Sequence, residues 1–238
     1  MLTGWAVAIT GMGLMMGVVA QSVGSALSEN AGLQQALGRL GGRGAGATAY
    51  LAVTFLMVAL LVALIAAGQV NAARTEEAQG RLDHLVNRPV SRNRWLAGRF
   101  CVVAVVLVLA GLLAGFSTWA GAASQDAGVG LETLLEAGLN VVPPAVLVLG
   151  IGVMTLGLWP RAVSSVTYGL LAWSFLVEFV GGVVNANHWL LDTSVLHHMA
   201  AAPAVSPHWA SSPILVGVGL VAALLGAAAF SHRDLVGD

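Results

Sequence analysis

The stretch TAYLAVTFLMVALLVALIAAGQV, residues 48–70, decides the fold class, because it runs for 23 residues without a single charge. A helix needs about 20 apolar residues to cross the hydrocarbon core of a bilayer. Five further runs of this kind lie at roughly 3–24, 98–122, 133–158, 163–184 and 212–230. The sequence therefore predicts an all-α polytopic membrane protein, in which six transmembrane helices form a single domain over residues 1–238.

Composition and net charge limit the function classes. Apolar residues make up 58% of the chain and charged residues 9%, against about 25% charged in an ordinary soluble domain. The formal net charge is −1, so the chain has no surplus of cations to neutralise a row of phosphates, and nucleic acid is not an expected partner. The lipid bilayer is the surface that this composition fits.

The basic residues, which are all arginines, predict the orientation. One set of loops and the C-terminal tail carry most of them, whereas the opposite side has only Arg39 and Arg43. Positive residues near the ends of spans favour the cytoplasm. We therefore expect a multi-pass protein of the plasma membrane with both termini inside. The cytoplasmic arginines are Arg74, Arg81, Arg88, Arg92, Arg94, Arg99, Arg161 and Arg233.

The loop after the second span, RTEEAQGRLDHLVNRPVSRNRW at residues 74–95, differs from its surroundings. It holds eight charged residues in a chain with only ten basic and eleven acidic ones. From Thr75 to Asn87 its apolar residues recur at i, i+4, i+7 and i+8, which predicts a short amphipathic helix. Pro89 ends this helix, because the residue before a proline is pushed out of the α region.

Two interpretations of this helix remain open. It is either a solvated cytoplasmic loop that follows the positive-inside rule or a docking element for a cytoplasmic partner. Its mixed charge favours docking, since helices that bind lipid surfaces are dominated by cations.

Glycines and prolines mark positions inside the spans. The spacings Gly13-x-x-x-Gly17 and Gly111-x-x-x-Gly115 predict close approach of neighbouring helices, although chance alone also produces such spacings in a chain with 30 glycines. In the fourth span, the pair at 143–144 predicts a kink rather than a boundary, because proline removes a backbone donor and clashes with the preceding turn.

The pattern R-x-E-E-x-x-G-R-x-D-x-L-x-x-R-P-V-S-R-x-R-W of residues 74–95 resembles the cytoplasmic loop of ABC type-2 exporter permeases. The likeness is to the actinobacterial multidrug or antibiotic-export branch, called tetronasin-type. It implies that the helix between spans 2 and 3 is a coupling helix, seated in a cleft of a separate ATP-hydrolysing subunit. The coupling residues it implies are Glu76, Glu77, Gly80, Arg81, Asp83, Pro89, Ser91 and Arg92.

Two further stretches resemble the same family. WLLDTSVLHHM at 189–199 is similar to the segment before the last span, and SHRDL at 231–235 is similar to the family's ending. Val195 stands where the family usually has proline. Members of the branch are usually about twice this long, with two six-span halves, and this chain resembles the second half. The resemblance thus implies either a half-permease that pairs with itself or a fragment of a longer permease.

Glu178 is the one carboxylate well inside a predicted span. Charged residues inside a membrane are costly, and their presence favours a function such as a substrate pathway. The alternative is that Glu178 lies near the outer end of its span and is reached by water.

The segment between spans 5 and 6 gathers polar and aromatic residues. His188, His197, His198 and His208 share it with Asp192, but their spacings match no familiar metal-ligand set, so no metal is predicted. Its aromatic and leucine residues suit a re-entrant hairpin at the level of the lipid headgroups. The resemblance implies that this region helps to form an outer gate, with Trp189, Asp192 and His197 as its residues.

The chain contains no G-x-x-x-x-G-K-[ST] motif, so ATP hydrolysis is not expected of it, and ATP and Mg²⁺ would be bound by a partner ATPase. The first hypothesis is a permease subunit that exports a hydrophobic or amphipathic molecule such as a drug, antibiotic or lipid. It needs the ATPase and a second six-span unit as partners. The alternatives are an intramembrane enzyme that modifies lipids and a non-transporting membrane scaffold.

Overall fold

The computed structural model describes residues 2–39, 46–79, 92–183, 187–207, 209 and 211–232. Regular structure in these ranges is helical. The α-helices are α1 (Leu2–Glu29), α2 (Ala31–Arg39), α3 (Gly46–Ala78), α4 (Arg92–Ala123), α5 (Leu131–Asn140), α6 (Val142–Leu158), α7 (Val163–Val183), α8 (His188–Leu191) and α9 (Ser212–His232). Short 3₁₀ helices lie at Pro160–Ala162 and Leu196–His198.

Six stretches of the described chain are long and apolar enough to cross a membrane, and each overlaps one predicted span. They are Thr3–Glu29, Gly46–Ala78, Arg94–Ala123, Leu131–Leu158, Pro160–Gly181 and Ser212–Ser231. The prediction of an all-α, six-span membrane protein is therefore confirmed.

The second span is longer than predicted. α3 has 33 residues, which at 1.5 Å per residue is about 50 Å, whereas the hydrocarbon core of a bilayer is about 30 Å thick. The sequence after Gly68 contains no proline or further glycine up to Ala78, and its alanines, arginine and glutamates favour a helix. The helix therefore continues beyond the apolar run, and its last turns project out of the hydrocarbon.

The fourth span is interrupted at the predicted place. α5 and α6 are separated by Val141 alone, whose φ and ψ of −81° and −12° keep the chain in the right-handed helical region. Pro143 and Pro144 follow in the first turn of α6, where a missing backbone N–H costs little. α5 and α6 therefore form one candidate span, which agrees with the predicted kink rather than a boundary.

α3 and α6 form the centre of the bundle. In the most apolar stretch of α3, 67% of the residues are buried, as are most residues of α6, and α3 packs against α1, α6 and α7. By contrast, α1, α7 and α9 leave many large apolar side chains exposed on their outer faces, as expected of helices that face lipid. A displacement of α3 would therefore reach three of its neighbours directly.

Backbone contacts at glycines hold α1, α4 and α5 together. A Cβ at Gly17 would overlap the Thr118 carbonyl oxygen of α4, and one at Gly111 would overlap the Gly138 carbonyl oxygen of α5. The two predicted glycine motifs therefore do mark close helix contacts. At each motif the two helices touch through backbone atoms rather than side chains, as is common where small residues line membrane helix interfaces.

A third glycine interface, between α6 and α9, was not predicted. Gly150 faces Gly219, and Gly157 faces Gly226, and at each position an added Cβ would collide with the partner's backbone. Residue numbers rise together on both helices, so α6 and α9 run parallel, as the fourth and sixth of six alternating spans must. The spacing is seven residues on each helix, and for that reason a search for four-residue spacings misses it.

Candidate functional site

The arginine-rich end of the bundle, residues 74–79 and 92–99, holds the described part of the predicted coupling region. Arg99 of α4 donates from Nη1 to the carboxylate of Glu76 in the last turn of α3. Its guanidinium carbon lies 5.6 Å from the centroid of the Trp95 ring. Both side chains of the ion pair are partly shielded, with 19% and 36% exposed. The pair ties together the two helices that flank residues 80–91.

The prediction that a separate helix begins at Thr75 is wrong. Residues 75–78 are the last turn of α3, and Thr75 Oγ1 donates to the carbonyl of Asn71 one turn earlier, at 2.9 Å. No helix breaker separates this turn from the span, so residues 75–78 continue the span helix. Glu76 and Glu77 lie in this turn, and Arg92 begins α4. The remaining coupling residues, Gly80, Arg81, Asp83 and Pro89, with Ser91, lie outside the described residues.

At the opposite end, the connecting segment (residues 187–207) is fastened to α7 through Ser174. The Val195 N–H donates to Ser174 Oγ at 3.1 Å, and Ser194 Oγ donates to the Ser174 carbonyl at 3.2 Å. All three residues are buried. A buried backbone N–H left without a partner costs about 1–3 kcal/mol, so this double contact fixes the segment against α7.

The contact also bears on position 195, where this chain has valine and the resembling family usually has proline. Its φ of −62° is one that proline readily adopts. Proline, however, has no N–H and could not donate to Ser174. The backbone at Val195 is thus compatible with proline, but the hydrogen bond to Ser174 is not.

Glu178 lies one turn after Ser174 on the same face of α7. Its Oε2 is 3.4 Å from His197 Nδ1, and the two side chains are 14% and 29% exposed. Glu178 is five residues before the end of α7 at Val183, which is about 7.5 Å along the helix axis. The structure thus brings together one predicted pathway residue and one predicted gate residue near the end of the span.

The other predicted gate residues lie apart from this pair. Trp189 is 73% exposed and stacks on His188, with ring centroids 5.0 Å apart. Asp192 is exposed at the end of α8. Within the described residues, no group of three His, Cys, Asp or Glu side chains is placed to hold a metal ion.

Asn140 provides a second attachment of the connecting segment. This residue ends α5 and is 3% exposed, and its Nδ2 donates to the Ala200 carbonyl at 2.8 Å. A further hydrogen bond, 2.9 Å long, joins Trp173 Nε1 to Thr193 Oγ1. The segment is therefore held by α5 on one side and α7 on the other.

A polar cluster between α3 and α7, near the arginine-rich end, was not predicted. Asn71 Nδ2 donates to Thr167 Oγ1 at 3.1 Å and to the Ala67 carbonyl at 2.8 Å. Ser164 Oγ donates to Asn71 Oδ1. An asparagine just past an uncharged run of 23 residues is the sequence signal for such an interhelical bond, but its partners lie more than 90 residues away.

Residues 1–231 match the family model described as "Multidrug efflux system permease Rv1217c, C-terminal domain". The multidrug efflux system permease protein Rv1217c of Mycobacterium tuberculosis (strain ATCC 25618 / H37Rv) is 29% identical, over 97% of this chain and 42% of that protein. The chain thus spans less than half the length of this relative.

Proposed function

The chain belongs to the multidrug efflux permease family defined by the Rv1217c C-terminal domain, and from this membership we propose that it is the membrane-spanning permease subunit of an ATP-driven (ABC) exporter. Its substrate is a hydrophobic or amphipathic molecule, and it works in the plasma membrane with both termini in the cytoplasm. A separate ATPase subunit supplies the energy, because no phosphate-binding motif is present in the sequence. The arginine-rich end then faces the cytoplasm.

The observation that carries this proposal is the continuity of α3 from the arginine-rich end to the centre of the bundle. The helix runs unbroken from Ala78 to Gly46 and packs against α1, α6 and α7. A push on residues 75–87, delivered when the ATPase subunits close on ATP, would move a rigid rod at the core. The ion pair between Glu76 and Arg99 would pass the same motion to α4.

A complete pathway requires a second six-span unit. The matching family model describes a C-terminal domain, and the relative from M. tuberculosis is more than twice as long as the aligned part. Both facts support pairing with another six-span half, whether a second copy or a related chain. The pathway would then lie between the halves.

The connecting segment is proposed as the outer gate. It is held to α7 by Ser174 and to α5 by Asn140, so movement of either helix would shift it. The pair formed by Glu178 and His197 also joins α7 to the connecting segment. A cationic substrate leaving the pathway would compete with His197 for the Glu178 carboxylate.

Replacing Glu178 with glutamine is expected to lower export of a cationic amphipathic dye about ten-fold, the effect of losing one charge interaction of about 1.4 kcal/mol in the rate-limiting state. Export of a neutral dye should change less than two-fold. Glu132→Gln, at an exposed carboxylate in the first turn of α5, is the matched control. Equal export of the cationic dye by Glu178→Gln and native protein would remove Glu178 from the pathway.

The proposed function is tested by transport in inverted membrane vesicles. Cells lacking their own drug pumps would express this chain, a candidate ABC ATPase subunit and a candidate first half. Dye uptake should require ATP and should disappear with a Walker-motif variant of the ATPase. ATPase binding without any uptake would favour the scaffold alternative. Uptake that persists without the ATPase would contradict the proposal.

A further inference from the structure

A pocket of about 420 Å³ opens between α3 and α4 at the arginine-rich end. α4 contributes most of its lining: Arg94, Trp95, Gly98 and Arg99, followed by Val102 and Val106 one to two turns further along the helix. We propose that this pocket binds a phospholipid with an anionic headgroup. The arginines would hold the phosphate, and an acyl chain would lie along the valines.

The charges lining the pocket favour a phosphate. Arg94 is exposed and forms no ion pair with any residue that the structure describes. Arg99 uses Nη1 for Glu76, while its buried Nε has no hydrogen-bond partner in the described structure. Arg94 therefore carries a charge that no described residue neutralises, and Arg99 has donors besides the one that it gives to Glu76. Arginine is well suited to phosphate, because its planar fork presents several donors at once.

The apolar part of the pocket fits a lipid better than a free phosphate. Val102 is 63% exposed, and further along α4 Val105 and Leu109 are exposed as well, at 58% and 57%. These side chains form a strip that leads from the arginines along the outside of the bundle. Trp95 stands at the level of the arginines, which is where tryptophan anchors helices at a membrane interface. Basic pockets between membrane helices on the cytoplasmic side are known sites for anionic headgroups.

The leaflet that the pocket faces depends on the proposed orientation of the chain in the membrane. The pocket then opens to the cytoplasmic leaflet, which is the side that anionic lipids make negative. A bound lipid would touch both α3 and α4, the two helices on either side of residues 80–91.

Lipid retention by the purified full chain tests the proposal. Native mass spectrometry would compare phosphatidylglycerol with phosphatidylcholine of the same acyl chains, and glycerol phosphate would serve as a headgroup without chains. The native chain should retain one phosphatidylglycerol at concentrations where it retains little phosphatidylcholine. Arg94→Gln should weaken this retention about five-fold, the factor expected for one arginine at an anionic surface.

Two glycine variants separate the pocket from general charge effects. A Cβ at Gly98 meets nothing within 4 Å, and the same holds for Gly11 on α1. Gly98→Leu should therefore fill the pocket without disturbing the fold and abolish selective retention, while Gly11→Leu should leave it unchanged. Arg74→Gln removes a charge from the same end outside the pocket lining and should cost less than two-fold.

Equal retention of both lipids, or retention unaffected by Arg94→Gln and Gly98→Leu, would overturn the proposal. Binding of glycerol phosphate as tight as that of the lipid would show an anion site that makes no use of acyl chains, and would overturn the lipid assignment. The measurement needs neither the ATPase nor transport. Its failure would therefore leave the proposed export function standing, and a failure of export would leave the lipid site standing.

Discussion

Replacing Gly150 with leucine is expected to destabilise the six-helix bundle strongly. A Cβ at Gly150 would overlap the backbone of Gly219, whose Cα would lie 2.7 Å away, so α9 would have to move as a whole. Overpacking costs about 1–3 kcal/mol even where side chains can give way. Because the atoms that would have to move here belong to the backbone, we expect the melting temperature in detergent to fall by roughly 10 °C or more.

The control is a second glycine on α9, the helix that packs against Gly150. Gly217 lies on α9 two residues before Gly219, and a Cβ there meets nothing within 4 Å. Gly217→Leu should leave the melting temperature within about 2 °C of the native value, since exposed substitutions rarely change stability by more than about 0.5 kcal/mol. Fluorescence-detected size exclusion and thermal scanning would measure both variants. A Gly150→Leu protein as stable and monodisperse as Gly217→Leu would contradict the described contact of α6 and α9.

The double substitution Glu77→Arg with Gly80→Pro is expected to lower ATP-dependent export at least ten-fold without unfolding the bundle. Glu77 lies in the last turn of α3 and is half-buried. Arginine there would reverse the charge that the proposed coupling contact offers, and proline would restrict the backbone of the segment that follows. Export would be measured as dye uptake into inverted vesicles, with the amount of chain in each membrane matched by immunoblot.

A charge reversal at the opposite end of the bundle is the control for this variant. Glu29 is exposed at the end of α1, and Glu29→Arg changes the net charge by the same amount as Glu77→Arg. It should reduce export less than two-fold. Equal losses from the two variants would point to a general effect of charge and contradict a coupling role for residues 75–87.

Glu76 is expected to matter less for this contact than the resemblance implies. Its carboxylate already pairs with Arg99 within the chain. Exposed or partly exposed pairs of this kind contribute up to about 1 kcal/mol to stability. Its role is therefore to position the last turn of α3 against α4.

The spans were predictable because crossing a bilayer depends on apolar length alone. The end of α3 was not, since the run of apolar residues stops at Val70 while the helix-forming residues continue to Ala78. Hydropathy indicates which residues lie in the hydrocarbon core, whereas helix propensity indicates where the helix ends. The two coincide only when a breaker follows the span directly.

The contacts that build the candidate site could be predicted only in part. The four-residue glycine motifs of α1 and α4 were visible in the sequence, whereas the seven-residue spacing of α6 and α9 has meaning only once the two helices are paired. Glu178 stood out as a carboxylate within a span. Its pairing with His197 depends on the connecting segment folding back along α7, which no local pattern specifies.

Co-purification in detergent with a candidate ABC ATPase subunit is the most direct test of the account. The native chain, with a candidate first half where one exists, would be compared with the Glu77→Arg, Gly80→Pro variant. A stable complex with the native chain, lost in the variant while its size-exclusion profile is kept, is the predicted result. A complex that the variant retains, or the absence of any complex even when a first half is supplied, would contradict a permease subunit coupled through residues 75–87.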